Sequence, residues 1–284
     1  MRRRELFLSL AAGVLTAANV DHVEAASTKK PHDVNDAISE PEAHTSIDGT
    51  PSTTRFVMVI FPGLTQLDFT GPFEVLARVP GAEISVVAQT LDAIVSDTGL
   101  QILPTHTFET AGLADVLFVP GGPGQNAQMT NPAMLDYLRR ASTQARWVTS
   151  VCTGSLLLAA AGLLDGYRAT CHWLSIDQLE LFGVTAEHSR VVIDRNRITG
   201  AGVTSGIDFA FFMVAKLRDA HLAKLLELLL EYDPQPPYRA GTPQLAGPLI
   251  VDTVRKLAAP MLAERRQQSA AAVLALRSAV APDK

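Results

Sequence analysis

Residues 147–155 read WVTSVCTGS, and they place Cys152 where a short run of strand-forming residues gives way to an alanine- and leucine-rich segment. The run at 147–151 is largely apolar and β-branched, as expected of a strand that is covered on both faces of a parallel sheet. The segment at 153–164 ends at Asp165-Gly166, a typical helix stop. A strand that leads directly into a helix is the repeating unit of α/β folds.

The same alternation of strand and helix extends along the chain from residue 55. Strands are predicted at 56–60, 83–88, 116–119 and 147–151. Helices are predicted at 153–164, 173–182 and 205–217, and another begins after the capping residue Asn131. We therefore predict an α/β domain over 55–238, with an open, mainly parallel sheet sandwiched by helices. Residues 239–284 are predicted to be a partly helical C-terminal extension, too short for the two helix-turn-helix modules of an AraC-type regulator.

The N-terminal segment has the pattern of an export signal. Residues 1–25 contain a basic start with adjacent arginines and an apolar run at 6–20, which resembles a twin-arginine signal peptide. The alternative is an uncleaved membrane anchor, but the apolar run is shorter than the roughly 20 residues needed to span a bilayer. We expect cleavage, a periplasmic location and no permanent membrane anchor. Residues 26–54 are polar and predict a flexible linker.

Composition excludes several classes of protein. The chain has 284 residues, 47% of them hydrophobic, and its mean hydropathy is +0.16, so disorder of the whole chain is excluded. Its 24 Lys and Arg against 29 Asp and Glu give a net charge of −5, which does not favour a nucleic-acid partner. Two cysteines are too few for a disulfide scaffold or a four-cysteine zinc site. We predict neither a metal nor an organic cofactor.

Cys152 is the first candidate for chemistry. It lies at a strand-to-helix turn, which is the position of a nucleophile elbow, and Gly154 two residues later permits a tight turn. The free N–H groups of the helix N-terminus are expected to favour the thiolate and lower the thiol pKa. The alternative interpretation is a buried cysteine that only fills space.

Two other loops are expected to meet Cys152, because the carboxyl ends of parallel strands share one edge of the sheet. Gly121 and Gly122 follow the strand at 116–119; they form either a plain turn or an oxyanion hole for the substrate. Asp68 either caps a helix that begins near Pro72 or acts as a proton donor or acceptor in the site. Thr70 is the better-placed cap, which favours the second role for Asp68.

Five motifs together carry a family resemblance. They are FPGLTQLDFTGPFEVL at 61–76, FVPGGPG at 118–124, SVCTGSLLLAAAGLLDG at 150–166, ATCHW at 169–173 and NRITGAGVTSGIDFA at 196–210. In this order they resemble the ThiJ/PfpI superfamily, which has a flavodoxin-like, class I glutamine-amidotransferase-like fold, and within it the isonitrile hydratase branch. The resemblance implies a homodimer that acts on a small molecule.

The resemblance also implies roles for particular residues. Cys152 would be the nucleophile, Asp68 its acidic partner and Thr153 a residue that supports hydratase activity. Peptidase-like relatives carry histidine directly after the nucleophile, so Thr153 counts against proteolysis. By similarity His172 approaches the substrate pocket, although a hydrogen-bonded structural histidine is the alternative. Many relatives have threonine in place of Cys171.

The presence of Cys171 raises a Cys152–Cys171 disulfide as a possibility in an oxidising compartment. Such a bond would silence the nucleophile. Adjacent strand residues point to opposite faces, which argues against the bond if His172 faces the pocket.

The activity implied by the resemblance is hydration of an isonitrile to an N-substituted formamide. Two alternatives remain at this point: a stress protein that acts on carbonyl adducts or senses redox state, and a non-catalytic domain that binds a small ligand.

Overall fold

The computed structural model describes residues 52–280. The predicted signal peptide at 1–25 lies outside the described residues, as does most of the predicted linker. Thr54 already belongs to the first strand, one residue before the predicted start of the domain.

Eleven strands occur among the described residues. They are β1 Thr54–Val59, β2 Ala82–Ala88, β3 Ile94–Val95, β4 Gln101–Ile102, β5 His106–Thr107, β6 Val116–Val119, β7 Trp147–Val151, β8 Arg168–Ala169, β9 Thr185–Ala186, β10 Val191–Asp194 and β11 Arg197–Gly200. Seven of them form one sheet in the order β10-β11-β7-β6-β1-β2-β5. Neighbours in this sheet are parallel except β10 and β11, which pair antiparallel at one edge.

The helices of the described residues cover the sheet. They are α1 Gln66–Leu76, α2 Gln125–Gln128, α3 Pro132–Ser142, α4 Gly154–Ala160, α5 Ser205–Leu217, α6 Ala220–Leu229, α7 Pro243–Ala246 and α8 Pro248–Val280, with a 3-10 helix at Ile176–Phe182. All four residues of β6 are buried, and so are the last four of β7. Burial of a strand on both faces removes the polar alternation from its sequence, which is why the apolar runs predicted these strands.

The predicted alternation of strands and helices is confirmed. The bounds of β6, β7 and α5 match the predicted ones, and β1 and β2 differ by at most two residues. The predicted cap of α3 is confirmed as well, because Oδ1 of Asn131 accepts the N–H of Ala133 at 3.1 Å.

Two helix predictions are wrong in their starting points. α1 begins at Gln66, not near Pro72, and Pro72 lies inside the helix. Thr70 is therefore not a cap; its hydroxyl donates to the carbonyl of Gln66 at 3.0 Å. Proline is usually found in the first turn of a helix, which is why the sequence predicts a start near Pro72. The Pro72 ring lies against Gly206 of α5, and a Cβ on Gly206 would be only 3.0 Å from it. The absence of that Cβ permits the close contact between α1 and α5.

The segment predicted as a helix at 173–182 is helical only over Ile176–Phe182, and there it is a 3-10 helix. Its predicted end is confirmed, since Gly183 has φ +74°.

The C-terminal extension is more helical than expected and packs on the domain. α8 runs for 33 residues and contacts α2, α4 and the 3-10 helix. Although it is long, neither it nor any other described helix is apolar enough over a sufficient length to cross a membrane.

Candidate active site

Three loops meet at the carboxyl ends of β1, β6 and β7, as the sequence predicts. Oδ2 of Asp68, near the start of α1, accepts the N–H of Gly121 at 3.0 Å. Oγ1 of Thr153, directly after Cys152, accepts the N–H of Gly122 at 3.1 Å. The glycine loop after β6 therefore lies between the carboxyl group and the cysteine loop and holds both by its backbone.

Cys152 occupies a strained turn. It follows β7 directly and has φ +58°, a left-handed conformation that costs a non-glycine residue about 1–3 kcal/mol. Its N–H donates to the carbonyls of Gly200 and Ala201, at 3.0 and 2.7 Å, which fixes the backbone at this point. The turn needs glycine two residues later, because a Cβ on Gly154 would lie 2.2 Å from the carbonyl oxygen of Val119. This geometry is that of the predicted nucleophile elbow.

Asp68 is a fully buried carboxyl group. Burial raises its pKa to about 7, even though hydrogen bonds from Cys152 and Gly121 lower it. Among the described residues, Oδ1 has no hydrogen-bond partner within normal distance, so one oxygen of the carboxyl group remains available. A carboxyl group that titrates near neutral pH suits proton transfer in either direction.

The thiol of Cys152 does not have the low pKa that the sequence analysis predicts. The side chain is 5% exposed, and burial raises the thiol pKa well above its ordinary value. Negative charge on Asp68, or on Cys171 when that thiol ionises, raises the pKa further, while the N–H of Thr153 lowers it. The helix terminus therefore acts in the expected direction but is outweighed by desolvation. The thiol needs an adjacent proton acceptor, and Asp68 is in place to be one.

Gly121 and Gly122 position two side chains of the site in this structure, and their predicted part as an oxyanion hole stays a prediction. Both N–H groups already donate to side chains, those of Asp68 and Thr153. A Cβ on Gly121 would lie 2.5 Å from the nitrogen of Thr153 and 3.0 Å from Oδ2 of Asp68. Glycine is required here so that the loop can approach the two side chains. The pair therefore positions Asp68 and Thr153.

His172 lies close to the loop that follows β11. A Cβ on Gly202 would lie 3.1 Å from Cδ2 of the imidazole ring. Nδ1 of His172 accepts the N–H of Leu174 at 3.3 Å. Burial lowers the pKa of His172 to about 4, and the positive charge of Arg265 lowers it too, so the ring is neutral at neutral pH. Its contact with substrate stays a prediction.

Cys171 is a second buried free thiol. Burial raises its pKa to about 11, against a hydrogen bond with Ser155 and the positive charge of Arg265. Cys171 and His172 follow β8 and do not lie in a strand. The argument from alternating strand side chains therefore does not apply to them. Both cysteines are unbridged in this structure.

The functional groups that the site brings together decide which chemistry it can support. Between residues 52 and 280, no group of three or more His, Cys, Asp or Glu side chains is arranged to hold a metal ion. What the site does bring together is one thiol, one buried carboxyl group and one hydroxyl group. This set can form a covalent bond to carbon and move a proton.

Comparison with protein families identifies the fold family. Residues 54–216, more than half of the chain, match the model of the DJ-1/PfpI family. The chain belongs to the DJ-1/PfpI family. The resemblance drawn from the five motifs is thereby confirmed, and with it the mainly parallel α/β fold.

Individual relatives of this DJ-1/PfpI family member differ in how much of their length they share with it. Isonitrile hydratase from Pseudomonas putida is 47% identical over 221 residues, which cover 77% of this chain and 97% of the hydratase. The transcriptional regulator GbdR from Pseudomonas aeruginosa is 34% identical over 137 residues, 48% of this chain but 37% of the regulator. The crystal structure of a ThiJ/PfpI family protein from Pseudomonas syringae has a TM-score of 0.76 and 39% identity, covering 86% of this chain and 97% of that one. Similarity to the hydratase is thus the more complete.

Arg265 of this DJ-1/PfpI family member is a buried residue near the site that the candidates drawn from the sequence do not include. This residue is 3% exposed and lies on α8, outside the family segment 54–216. A signal for it exists in the sequence, because Met261, Arg265 and Ser269 are spaced four residues apart and share one face of a helix. Ser269 is buried as well. An arginine on the buried stripe of a helix requires an explanation.

Proposed function

We propose that this chain is a cofactor-independent hydratase that converts an isonitrile to an N-substituted formamide. The observation that carries the proposal is the pairing of the Cys152 thiol with the buried Asp68 carboxyl group, whose pKa is about 7. The similarity to isonitrile hydratase over 97% of that enzyme's length supports it.

The first step forms a thioimidate. The Cys152 sulfur bonds to the terminal carbon of R–N≡C, the thiol proton passes to Asp68, and Asp68 delivers that proton to the same carbon. The product is R–N=CH–S–Cys152. Asp68 returns to its starting state, and no oxidant or reductant is needed.

The second step releases the product. Water adds to the thioimidate carbon, one of its protons goes to the nitrogen, and the C–S bond breaks as the second proton returns to the sulfur through Asp68. This gives R–NH–CHO and the free thiol. Oγ1 of Thr153 accepts the N–H of Gly122, so its own hydroxyl hydrogen can orient the attacking water.

The enclosed position of Cys152 suits this substrate class. Its side chain is 5% exposed, and Asp68 beside it is fully buried. An isonitrile ends in a narrow, uncharged carbon, which can enter such a site without a desolvation cost like that of a carboxylate or phosphate. The buried carboxyl group accepts the thiol proton in place of bulk solvent, and the only water that the reaction needs is the one that attacks the thioimidate.

The test is product formation with purified protein. Alkyl and aryl isonitriles are supplied in ¹⁸O-labelled water, and N-substituted formamide carrying the label is measured by mass spectrometry. Methylglyoxal is assayed in parallel, because its consumption in place of isonitriles would favour the carbonyl-directed alternative. Cys152→Ala is the negative control. Absence of labelled formamide from every isonitrile would reject the proposal.

A further inference from the structure

The start of α1 has the spacing of a capping box, but its side chains are not used to cap the helix. Thr65 is the N-cap residue and Asp68 lies three positions later. In a capping box the threonine hydroxyl accepts the N–H of that later residue, whose side chain accepts the N–H of the threonine. Here the Thr65 hydroxyl makes no capping bond, and Oδ2 of Asp68 accepts the N–H of Gly121 instead. Helix capping therefore does not account for either side chain.

The Thr65 hydroxyl is bound to the hairpin formed by β3 and β4. It donates to Oδ2 of Asp97, in the turn of this hairpin, at 2.6 Å. Two backbone bonds attach the same hairpin to the loop before α1. The N–H of Asp97 donates to the carbonyl of Leu64 at 2.9 Å, and the N–H of Gly63 donates to the carbonyl of Val95 at 2.8 Å. The carboxylate that accepts the hydroxyl is thus held in place beside Thr65, and hydrogen bonds to a charged acceptor are the stronger ones.

The backbone of Thr65 connects this bond to the site. Its N–H donates to the carbonyl of Gly121 at 3.0 Å, and its carbonyl accepts the N–H of Asp68 at 3.0 Å. The Gly121 carbonyl belongs to the same planar peptide unit as the N–H of Gly122, which donates to Oγ1 of Thr153 at 3.1 Å. The approach is close, since a Cβ on Gly122 would lie 2.3 Å from the nitrogen of Thr65. A shift of Thr65 would therefore displace both Asp68 and Thr153.

We propose that Asp97 is a positioning residue for the hydration reaction. By holding the Thr65 hydroxyl, it fixes the first turn of α1 and the peptide unit between the two glycines, and so keeps Asp68 and Thr153 in place around Cys152. Asp97 is itself exposed and acts through Thr65. This inference rests on the proposed function, because it concerns the proton acceptor and the water-orienting hydroxyl of that reaction.

The experiment compares kcat and KM for isonitrile hydration in variants that lack the hydrogen bond. Asp97→Ala and Thr65→Val should each lower kcat about tenfold, because small displacements of catalytic groups slow the chemistry. KM should change by less than about twofold, since no contact with the substrate is removed. The double variant should lose no more than either single variant, because both substitutions remove one and the same bond.

Conservative variants separate the hydrogen bond from other properties of the two side chains. Thr65→Ser keeps the hydroxyl, and Asp97→Asn keeps an acceptor oxygen but removes the charge. Both should retain at least about half of the parental kcat, because the hydrogen bond can still form. A role in folding alone would not give this pattern of loss and rescue in kcat at constant KM.

A second measurement needs no substrate. Exchange of backbone amide hydrogens, followed by mass spectrometry, reports how firmly residues 63–70 and 118–124 are held. Both segments should exchange about threefold faster or more in Asp97→Ala and in Thr65→Val, because the N–H groups of Thr65 and Gly121 lose part of their support.

The matched control is Asp92→Ala. Asp92 is also exposed and accepts the hydroxyl of Thr90 at 3.0 Å, but this pair lies outside the series of bonds from Asp97 to the site. Its replacement should leave kcat, KM and the exchange of both segments unchanged. If Asp97→Ala is insoluble, Thr65→Val and Thr65→Ser provide the same comparison.

Several results would overturn the inference. They are parental kcat in folded Asp97→Ala, losses that multiply in the double variant, and a loss in Asp97→Asn equal to that in Asp97→Ala, which would indicate an effect of charge alone. If the parent protein forms no formamide, the hydratase proposal fails by itself. Unchanged exchange in Asp97→Ala would then overturn the positioning role, whereas faster exchange in both segments would support it.

Discussion

The two cysteines of this protein share burial but differ in their surroundings. Both follow a strand, β7 for Cys152 and β8 for Cys171, and burial raises the pKa of each thiol. Only Cys152 has a left-handed backbone and a carboxyl group beside it. Ser155 lies near Cys171 and lowers its pKa, while the Ser155 hydroxyl donates to the carbonyl of Cys152 at 3.0 Å. A low thiol pKa therefore does not distinguish the candidate nucleophile from the second cysteine. The strained turn at Cys152 and the proton acceptor beside it distinguish the two.

Replacing each cysteine by alanine is the strongest test of that difference. Cys152→Ala should lower isonitrile turnover by roughly 10³-fold or more, because the atom that bonds to carbon is removed. Cys171→Ala should leave turnover within about twofold, because Cys171 has neither the strained turn nor the adjacent carboxyl group of Cys152. Turnover of both variants is compared with their melting temperatures. Loss of activity in the folded Cys171 variant with activity retained in the Cys152 variant would place the site elsewhere.

Removing the proton acceptor should give the next largest effect. Asp68→Asn keeps the shape of the side chain and a donor group but cannot accept or deliver a proton. We expect turnover to fall by roughly 10²-fold or more, the usual scale for general acid–base groups. Alkylation of Cys152 should persist, because the thiol remains and the loss of the Asp68 charge removes one influence that raises the thiol pKa. Near-normal turnover in this variant would leave Asp68 with a structural role.

The same substitution should change how stability depends on pH. The pKa of Asp68 is about 7 in the folded protein and ordinarily 3.8, so its protonated form favours folding below pH 4 and this contribution is lost as the pH rises towards 7. Asparagine does not titrate. The stability of Asp68→Asn relative to the parent should therefore rise by up to about 4 kcal/mol between pH 4 and pH 8. Denaturant unfolding at several pH values measures this.

The control for the stability experiment is Asp92→Asn, which alters an exposed carboxylate. Its stability should follow that of the parent at every pH. A parallel curve for Asp68→Asn would mean that the carboxyl group has an ordinary pKa in the folded protein.

The smallest expected effect concerns the backbone at the two cysteines. Glycine adopts φ near +58° without the penalty that alanine has there, whereas Cys171 has no positive φ. The free energy of unfolding of Cys152→Gly should therefore be higher, relative to that of Cys152→Ala. The corresponding difference between Cys171→Gly and Cys171→Ala should be smaller by about 1–2 kcal/mol. Urea denaturation of the four proteins gives both differences. Equal differences would contradict a strained turn at Cys152.

The sequence predicts the sheet well because its central strands are buried on both faces. The runs at 116–119 and 147–151 match β6 and β7 residue for residue. The sequence also predicts that Asp68 and Cys152 lie close together, because the loops at the carboxyl ends of parallel strands share one edge of the sheet.

Other features could not be predicted because they depend on packing between distant segments. The thiol pKa of Cys152 is decided by burial, which the helix-terminus argument did not include. Pro72 lies inside α1 and packs near Gly206, 134 positions further along the chain, and no local pattern reveals this contact. Arg265 reaches Asn126 across a separation of 139 residues, so no local pattern reveals their contact.

The location of Arg265 on α8 has a consequence for the order in which the protein is made. Asp68, Cys152 and Ser175 all precede it in the chain. During translation the N-terminal parts of a protein emerge and begin to fold first. The sheet, the elbow and the carboxyl group can therefore assemble on the ribosome before the guanidinium arrives. A nascent chain that still lacks α8 would contain the loop after β6 and the segment after β8 without the guanidinium that donates to Asn126 and Ser175, and one side chain would join the two only when synthesis of α8 is complete.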